Sequence, residues 1–142
     1  MARFLLWRIA EDYGVAVSLF PKLFPHWNGS GAHVNMSTRQ MRDDGGIVAI
    51  EEAIAKLAKK HKEHLKLYDP HGGEDNKLRL TGEFETSVLE VFTSDVANRN
   101  VSVRIPVQVA EAKKGYFEDR RPAANMDPYV VLGILVKTCL LD

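Results

Sequence analysis

The sequence predicts an α+β fold, with short antiparallel strands packed against three principal helices. Three observations carry that prediction. Two stretches have helical spacing of apolar residues, several short runs alternate apolar with small or polar residues between Gly, Pro and Asn, and no repeat or low-complexity linker divides the chain.

Composition narrows the function classes. The 142 residues carry 19 basic and 19 acidic side chains, and that balance argues against nucleic acid as a partner, because phosphate-backbone binders carry a basic excess. Hydrophobic residues make up 45% and charged residues 27%, the usage of an ordinary globular domain. The longest apolar run, Tyr129 to Val136, is far short of the roughly 20 residues that span a bilayer, so no membrane role is expected. The single cysteine, Cys139, sits among Val136, Leu140 and Leu141 and reads as a buried hydrophobe. No intrachain disulfide can form and no signal peptide is recognisable, so the expectation is a soluble, cytoplasmic chain.

Leu5, Trp7, Ile9 and Ala10 alternate loosely with Arg8, Glu11 and Asp12 as a first helix, ended by Gly14. Val15, Val17 and Leu19 then alternate with small residues and predict a strand. Pro21 and Pro25 break pairing, and a Gly- and Asn-containing turn over 26–31 leads to a second strand around Val34 and Met36. Asp44, Gly45 and Gly46 open the strongest helix. Ile47, Ile50, Ile54 and Leu57 form its apolar face, and Glu51, Glu52, Lys56, Lys59 and Lys60 the other. The basic run from Lys56 to Lys66, with His61 and His64, reads as a solvated face. Asp69, Pro70, Gly72 and Gly73 stop the helix, and no clear period follows Leu80. Val101, Val103 and Ile105 predict a further strand, and Tyr116 and Phe117 another extended stretch. Asp127 and Pro128 supply the N-cap and first turn of a helix through Val131, Leu135 and Leu140 that is apolar on most faces.

Four clusters hold residues able to bind phosphate, carboxylate or metal. In Trp27-Asn28-Gly29-Ser30-Gly31-Ala32-His33-Val34-Asn35, glycines permit close backbone approach to a ligand. His33 there is either a metal ligand or an ordinary satisfied histidine. The second cluster runs from Asp75 through Arg79 and Gly82 to Glu85 and Thr86. The third holds Arg99 and Arg104, which five-residue spacing puts on opposite faces of a regular strand; only an irregular start near Asn98 would let both guanidiniums reach one phosphoryl group. The fourth, Gly115-Tyr116-Phe117-Glu118-Asp119-Arg120-Arg121-Pro122, puts Glu118 and Arg120 on one face of a strand.

The strings Trp27-Asn28-Gly29-Ser30-Gly31-Ala32-His33, Arg79-Leu80-Thr81-Gly82, Val96-Ala97-Asn98-Arg99, Val103-Arg104-Ile105-Pro106, Lys113 to Pro122 and Thr138-Cys139-Leu140-Leu141 resemble glutamine synthetase of the eukaryotic type. The likeness runs from Ala2 to Leu141 and covers the C-terminal part of that enzyme's catalytic domain, so residues 1–142 are expected to be an incomplete catalytic domain lacking the N-terminal β-grasp domain. It implies ATP-dependent amidation of glutamate through γ-glutamyl phosphate, with ATP, glutamate and ammonia as substrates, Mg²⁺ or Mn²⁺ as cofactor and a homo-oligomeric assembly. His33 and Glu118 would be metal ligands. Asn28, Gly29, Arg79 and Arg120 would bind glutamate, while Asn35, Ser37, Arg99, Arg104 and Tyr116 would bind nucleotide. Arg99 and Arg120 would stabilise the reacting groups, and Glu85 would be the flap carboxylate that captures ammonium.

Departures from the family pattern accompany these matches. Phe84 stands where the family has His, and Val88-Leu89-Glu90-Val91 replaces a polar flap loop. His26 replaces an Asn, Val107 an Arg, and the loop near Pro21 is one residue shorter. The family's other metal-binding glutamates have no counterpart among these residues. The resemblance therefore also allows a non-catalytic structural or interaction module, and the expectation is that the chain alone does not turn over.

Overall fold

The computed structural model describes all 142 residues and bears out the α+β class. Helix α1 spans Ala2–Asp12 and stops where Gly14 turns left-handed at φ 62°. The alternating residues 15–19 that follow are not a strand. Val17 and Leu19 do turn half inward, but no neighbouring edge offers them hydrogen bonds, and alternation without a partner makes no sheet.

Four strands form the sheet in the order β1 (Val34–Met36), β4 (Phe117–Asp119), β3 (Val103–Ile105), β2 (Ser94–Val96). The β1–β4 and β4–β3 pairs are antiparallel as expected, but β2 and β3 are parallel. After β2 the chain turns through left-handed Ala97 at φ 61° and loops back past Thr93, whose carbonyl accepts from Ser102 N and Val103 N at 3.0 and 3.1 Å. That return sets β3 beside β2 in the same direction. Val101 falls outside β3.

Register sorts the two faces. Asn35, Glu118, Arg104 and Asp95 stand directly opposite one another across all four strands, so one face carries a continuous polar row. The other face, with Phe117, Val103 and Ile105, packs on Ile50, Ile54, Leu57, Val131 and Leu135 of helices α3 (Ile47–Lys59) and α7 (Pro128–Val136). Asp127 caps α7, accepting from Tyr129 N at 2.8 Å and Val130 N at 3.3 Å, and a π-helical turn, Lys137–Leu141, extends it. Cys139 lies in this core, where burial pushes its thiol up to about 11. Three further pieces, α2 (Arg39–Arg42), α5 (Glu74–Lys77) and α6 (Val107–Ala112), are too short to leave a periodic signal. No helix is long and apolar enough to cross a membrane.

The expectation of a wholly solvated face over 56–66 is corrected. Helix α3 breaks at Lys60 and resumes as α4 (His61–Leu67); Lys59, Lys60, Lys62 and Lys66 are exposed, but His61 and His64 are buried. They continue the inward stripe of Ile50, Ile54 and Leu57 and end in a buried polar network. Asp119 Oδ1 and Oδ2 accept from Arg121 Nε at 2.9 Å and Nη2 at 2.7 Å, and Tyr68 donates to Oδ2 at 2.6 Å. Since the Tyr68 proton goes to Asp119, His64 Nδ1 donates to Tyr68 at 2.6 Å and its Nε2 accepts from Thr138 at 2.9 Å. His61 Nδ1 accepts from Arg121 Nη1 at 3.0 Å while Nε2 donates to Leu89 O at 2.8 Å. Both imidazoles are neutral in this arrangement.

Two expected behaviours follow. Burial and the nearby Arg121 charge push His64 down to about 4, and burial chiefly lowers His61 and His33 too. Their folded values lie below the unfolded value of about 6.5, so the stability they contribute is present above that pH and is lost as pH falls toward 4. His71, raised by its hydrogen bond to Asp75, works weakly in the opposite sense on the exposed surface. Urea unfolding at pH 7.5, 6 and 5 should show a falling midpoint; a flat or rising midpoint would refute the neutral network.

The second behaviour concerns the surface. Phe4, Leu5, Leu6, Trp7, Ile9, Leu23, Phe24 and Trp27 are all exposed, and large apolar side chains left in water favour association between copies. Sedimentation should detect concentration-dependent self-association, and a strict monomer with a sharp thermal transition would contradict this.

Candidate functional site

Strand β4 continues into Arg120 and Arg121, and the period of two divides the four charged residues. Asp119 and Arg121 face the core, while Glu118 and Arg120 face the polar side. Glu118 Oε1 lies 3.1 Å from His33 Nδ1, and Oε2 lies 2.6 Å from Arg104 Nε and 3.3 Å from Arg120 Nη1. The Arg104 contact is close but badly angled, so the buried Nε has no hydrogen-bond partner despite its ion pair. Arg120 joins the surrounding segments: Nε donates to Arg99 O at 3.2 Å and Nη2 to Glu85 O at 3.3 Å. Its Nη1 is also 3.4 Å from His33 Nδ1. Burial and the Arg120 charge lower His33, against an upward pull from Glu118.

Arg79 approaches from the turn after α5. Its Nε donates to Asn76 Oδ1 at 3.1 Å, and Nη2 to the carbonyls of Arg120, Arg121 and Pro122 at 3.3, 2.7 and 3.2 Å. Nη1 makes no bond to protein and lies beside His33: a Cβ at Gly31 would come within 3.1 Å of it and 3.0 Å of His33 Nε2. Burial and repulsion from Arg120 bring the Arg79 guanidinium down to about 10, which leaves it charged at neutral pH. Gly29 packs on its stem, where a Cβ would fall 2.6 Å from Arg79 Cγ and from Pro21 O. Asn28 is exposed on the same loop.

Arg99 lies in the loop before β3, not on a strand, and reaches Glu85 at 3.1 Å. Arg99 and Arg104 therefore sit on different carboxylates, Glu85 and Glu118, and Arg120 links the Glu118 carboxylate to the backbone carbonyl of Glu85. Glu85 and its neighbour Phe84 adopt left-handed φ values of 58° and 52°, and Lys22 Nζ stands 4.2 Å from the centre of the Phe84 ring.

Beyond β1 an open cavity of about 310 Å³ is lined by Asn35, Ser37, Arg42, Gly115 and Tyr116. Ser37 donates to Gly115 O at 2.7 Å and accepts from Arg42 Nη1 at 3.0 Å. Three of the residues expected at a nucleotide thus share one cavity, whereas Arg99 and Arg104 do not line it. Arg42 escaped the sequence reading, and only its place five residues after Ser37 hinted at it. Asn76 falls inside the second cluster read from the sequence, three residues before Arg79, but nothing in that cluster distinguishes it from its neighbours.

The two candidate metal ligands do not make a divalent-ion site by themselves. His33 and Glu118 supply two donors, one of them already paired with Arg104 and Arg120, and no group of three His, Cys, Asp or Glu side chains is positioned to hold a metal ion. Magnesium requires a near-octahedral oxygen shell, which this pair does not provide.

Comparison with known proteins identifies the family of the chain. Residues 1–141 match the family model described as glutamine synthetase, catalytic domain. Over 143 aligned positions covering 100% of this chain, the identity is 57% to glutamine synthetase of Gallus gallus, 57% to glutamine synthetase 1, mitochondrial, of Drosophila melanogaster and 54% to glutamine synthetase of Mus musculus. The match covers 38%, 36% and 38% of those relatives, so the chain spans less than two-fifths of their length. The resemblance read from the motifs is borne out, and the chain belongs to the glutamine synthetase catalytic-domain family.

Proposed function

We propose that this chain carries the substrate-gripping part of a glutamate–ammonia ligase. In that reaction the γ-phosphoryl group of ATP passes to the side-chain carboxylate of glutamate, and ammonia then attacks the γ-glutamyl phosphate and expels phosphate. The reading rests above all on the gathering of Arg79, Arg104 and Arg120 around His33 and Glu118 on one face of the sheet. Glutamate and a triphosphate together bring several negative charges, and phosphoryl transfer depends chiefly on positioning and neutralising them.

In this reading the free Nη1 edge of Arg79 takes the α-carboxylate, with Asn28 and Gly29 closing the pocket. Arg120, which touches Glu118 and the Glu85 segment together, meets the reacting carboxylate. Arg104 and Arg99 spread charge from the phosphoryl group, and Glu85 takes ammonium once Arg99 releases it. The cavity of Asn35, Ser37 and Tyr116 receives the nucleotide. Mg²⁺ or Mn²⁺ would need ligands beyond His33 and Glu118. A cytoplasmic place and a homo-oligomeric assembly belong to the same proposal. The non-catalytic alternative draws support from the Lys22–Phe84 contact and from Glu85 being occupied by Arg99.

Calorimetry should detect binding of both ATP and glutamate, with ADP release absent when glutamate, ammonia and Mg²⁺ are supplied to the chain alone. Glutamate-dependent turnover that Arg99→Ala and Glu118→Ala both abolish would show a working enzyme, and binding of neither substrate would refute the gripping role. Gly29→Ala forces a methyl against Pro21 O and the Arg79 stem, and should weaken glutamate binding at least about tenfold, or 1.4 kcal/mol, with ATP affinity unchanged. Equal glutamate affinity would separate Gly29 from the substrate pocket.

A further inference from the structure

Asn76 is fully buried on α5 and uses both polar atoms of its side chain. Oδ1 accepts from Arg79 Nε at 3.1 Å, and Nδ2 donates to Arg121 O at 2.7 Å. That same carbonyl accepts Arg79 Nη2 at 2.7 Å. The amide thus grips the guanidinium and the backbone it rests on together. Asn76 is held from behind by Asp69, whose Oδ2 accepts Asn76 N at 2.9 Å while Oδ1 accepts His71 N and Gly73 N at 2.7 and 3.0 Å. Asp69 is buried and its carboxylate is taken up by backbone N–H groups, away from the cleft.

A guanidinium is planar and has five N–H donors in a fixed fork. With Nε on Asn76 and Nη2 on three carbonyls, only the two donors of Nη1 are free, and they lie beside His33. We propose that Asn76 is a positioning residue that fixes Arg79 Nε and the Arg121 carbonyl together, and so aims the Nη1 edge of Arg79 at a carboxylate bound beside His33. The inference rests on the reading that Arg79 takes a substrate carboxylate and deepens it: the aim of the grip comes from a neutral amide behind the arginine. Neutrality matters physically. An aspartate would accept the Nε bond equally well, but it would cancel the cation and could not donate to Arg121 O. A leucine would remove both bonds.

The test uses the full chain, its Asn76→Leu and Asn76→Asp variants, and Arg79→Lys. Arginine Nε–H signals are followed by proton–nitrogen NMR, the Arg79 signal being the one lost in Arg79→Lys. L-glutamate affinity is measured on the same samples. The expected result is slow Nε–H exchange in wild type and Asn76→Asp, exchange at least about tenfold faster in Asn76→Leu, and glutamate affinity lowered roughly tenfold in both Asn76 variants. Retention of slow exchange in Asn76→Leu, or of wild-type affinity in both variants, would overturn the proposal. If Asn76→Leu does not fold, Asn76→Asp decides alone: slow exchange with lost affinity supports positioning, and fast exchange or unchanged affinity refutes it. Equal glutamate affinity of wild type and Arg79→Lys would instead refute the carboxylate role of Arg79, while the exchange rates would still decide whether Asn76 orients the guanidinium.

Discussion

The buried ion pair between Asp119 and Arg121 is the contact on which the arrangement of the cleft depends. Both side chains are fully buried, and a pair in that position costs much desolvation unless its remaining donors and acceptors are met. Here they are met from several segments: Tyr68 and His61 from α4 and its end, and the Arg121 backbone N–H, which donates to Asp119 Oδ1 at 3.1 Å. Burial alone would raise the Asp119 carboxyl, but the Arg121 charge and these hydrogen bonds outweigh it and hold it below its ordinary range. Through His64 the network reaches Thr138 in the π-helical turn, and through His61 it reaches Leu89. With Asp119 and Arg121 committed inward, strand geometry leaves Glu118 and Arg120 only the opposite face.

That face is electrostatically uneven. Arg79, Arg104 and Arg120 converge where Glu118 is the carboxylate between them, so the cleft favours anions. The Glu85 segment beside it, whose backbone carbonyl accepts from Arg120 Nη2, is held differently. Its ion pair with Arg99 is exposed on both sides and worth no more than about 1 kcal/mol. Its left-handed φ values at Phe84 and Glu85 cost of order 1–3 kcal/mol each. Arg79 and Arg121 sit in frames that cannot yield without breaking several buried bonds.

Legibility followed the length and regularity of each element. The stripe of Ile50, Ile54 and Leu57 and the Asp127–Pro128 cap announce α3 and α7, because periodicity and capping act within a few residues. The alternation of Val15, Val17 and Leu19 misleads, since a strand needs an edge to pair with and no local pattern reports one. Strand β2 and its parallel pairing are silent for the same reason: three exposed residues acquire their register only from β3. At the site, the period of two places Glu118 beside Arg120 correctly, and the doubt over Arg99 and Arg104 sharing one strand face is answered by Arg99 lying in a loop. His61 and His64 look like part of a basic surface because their partners, Arg121 and Thr138, are at least 60 residues away. Asn76 is unreadable in isolation, as its role depends on the Arg121 carbonyl.

A double-mutant cycle on Asp119→Asn and Arg121→Met, followed by urea unfolding at pH 7.5, tests the central dependence most directly. Each single substitution should cost roughly 3–5 kcal/mol, because it strands a buried charge, and the double variant should cost much less than the two combined. Single costs below about 1 kcal/mol that simply add in the double variant would contradict it, and would mean that the orientation of Glu118 and Arg120 does not depend on the buried pair behind them.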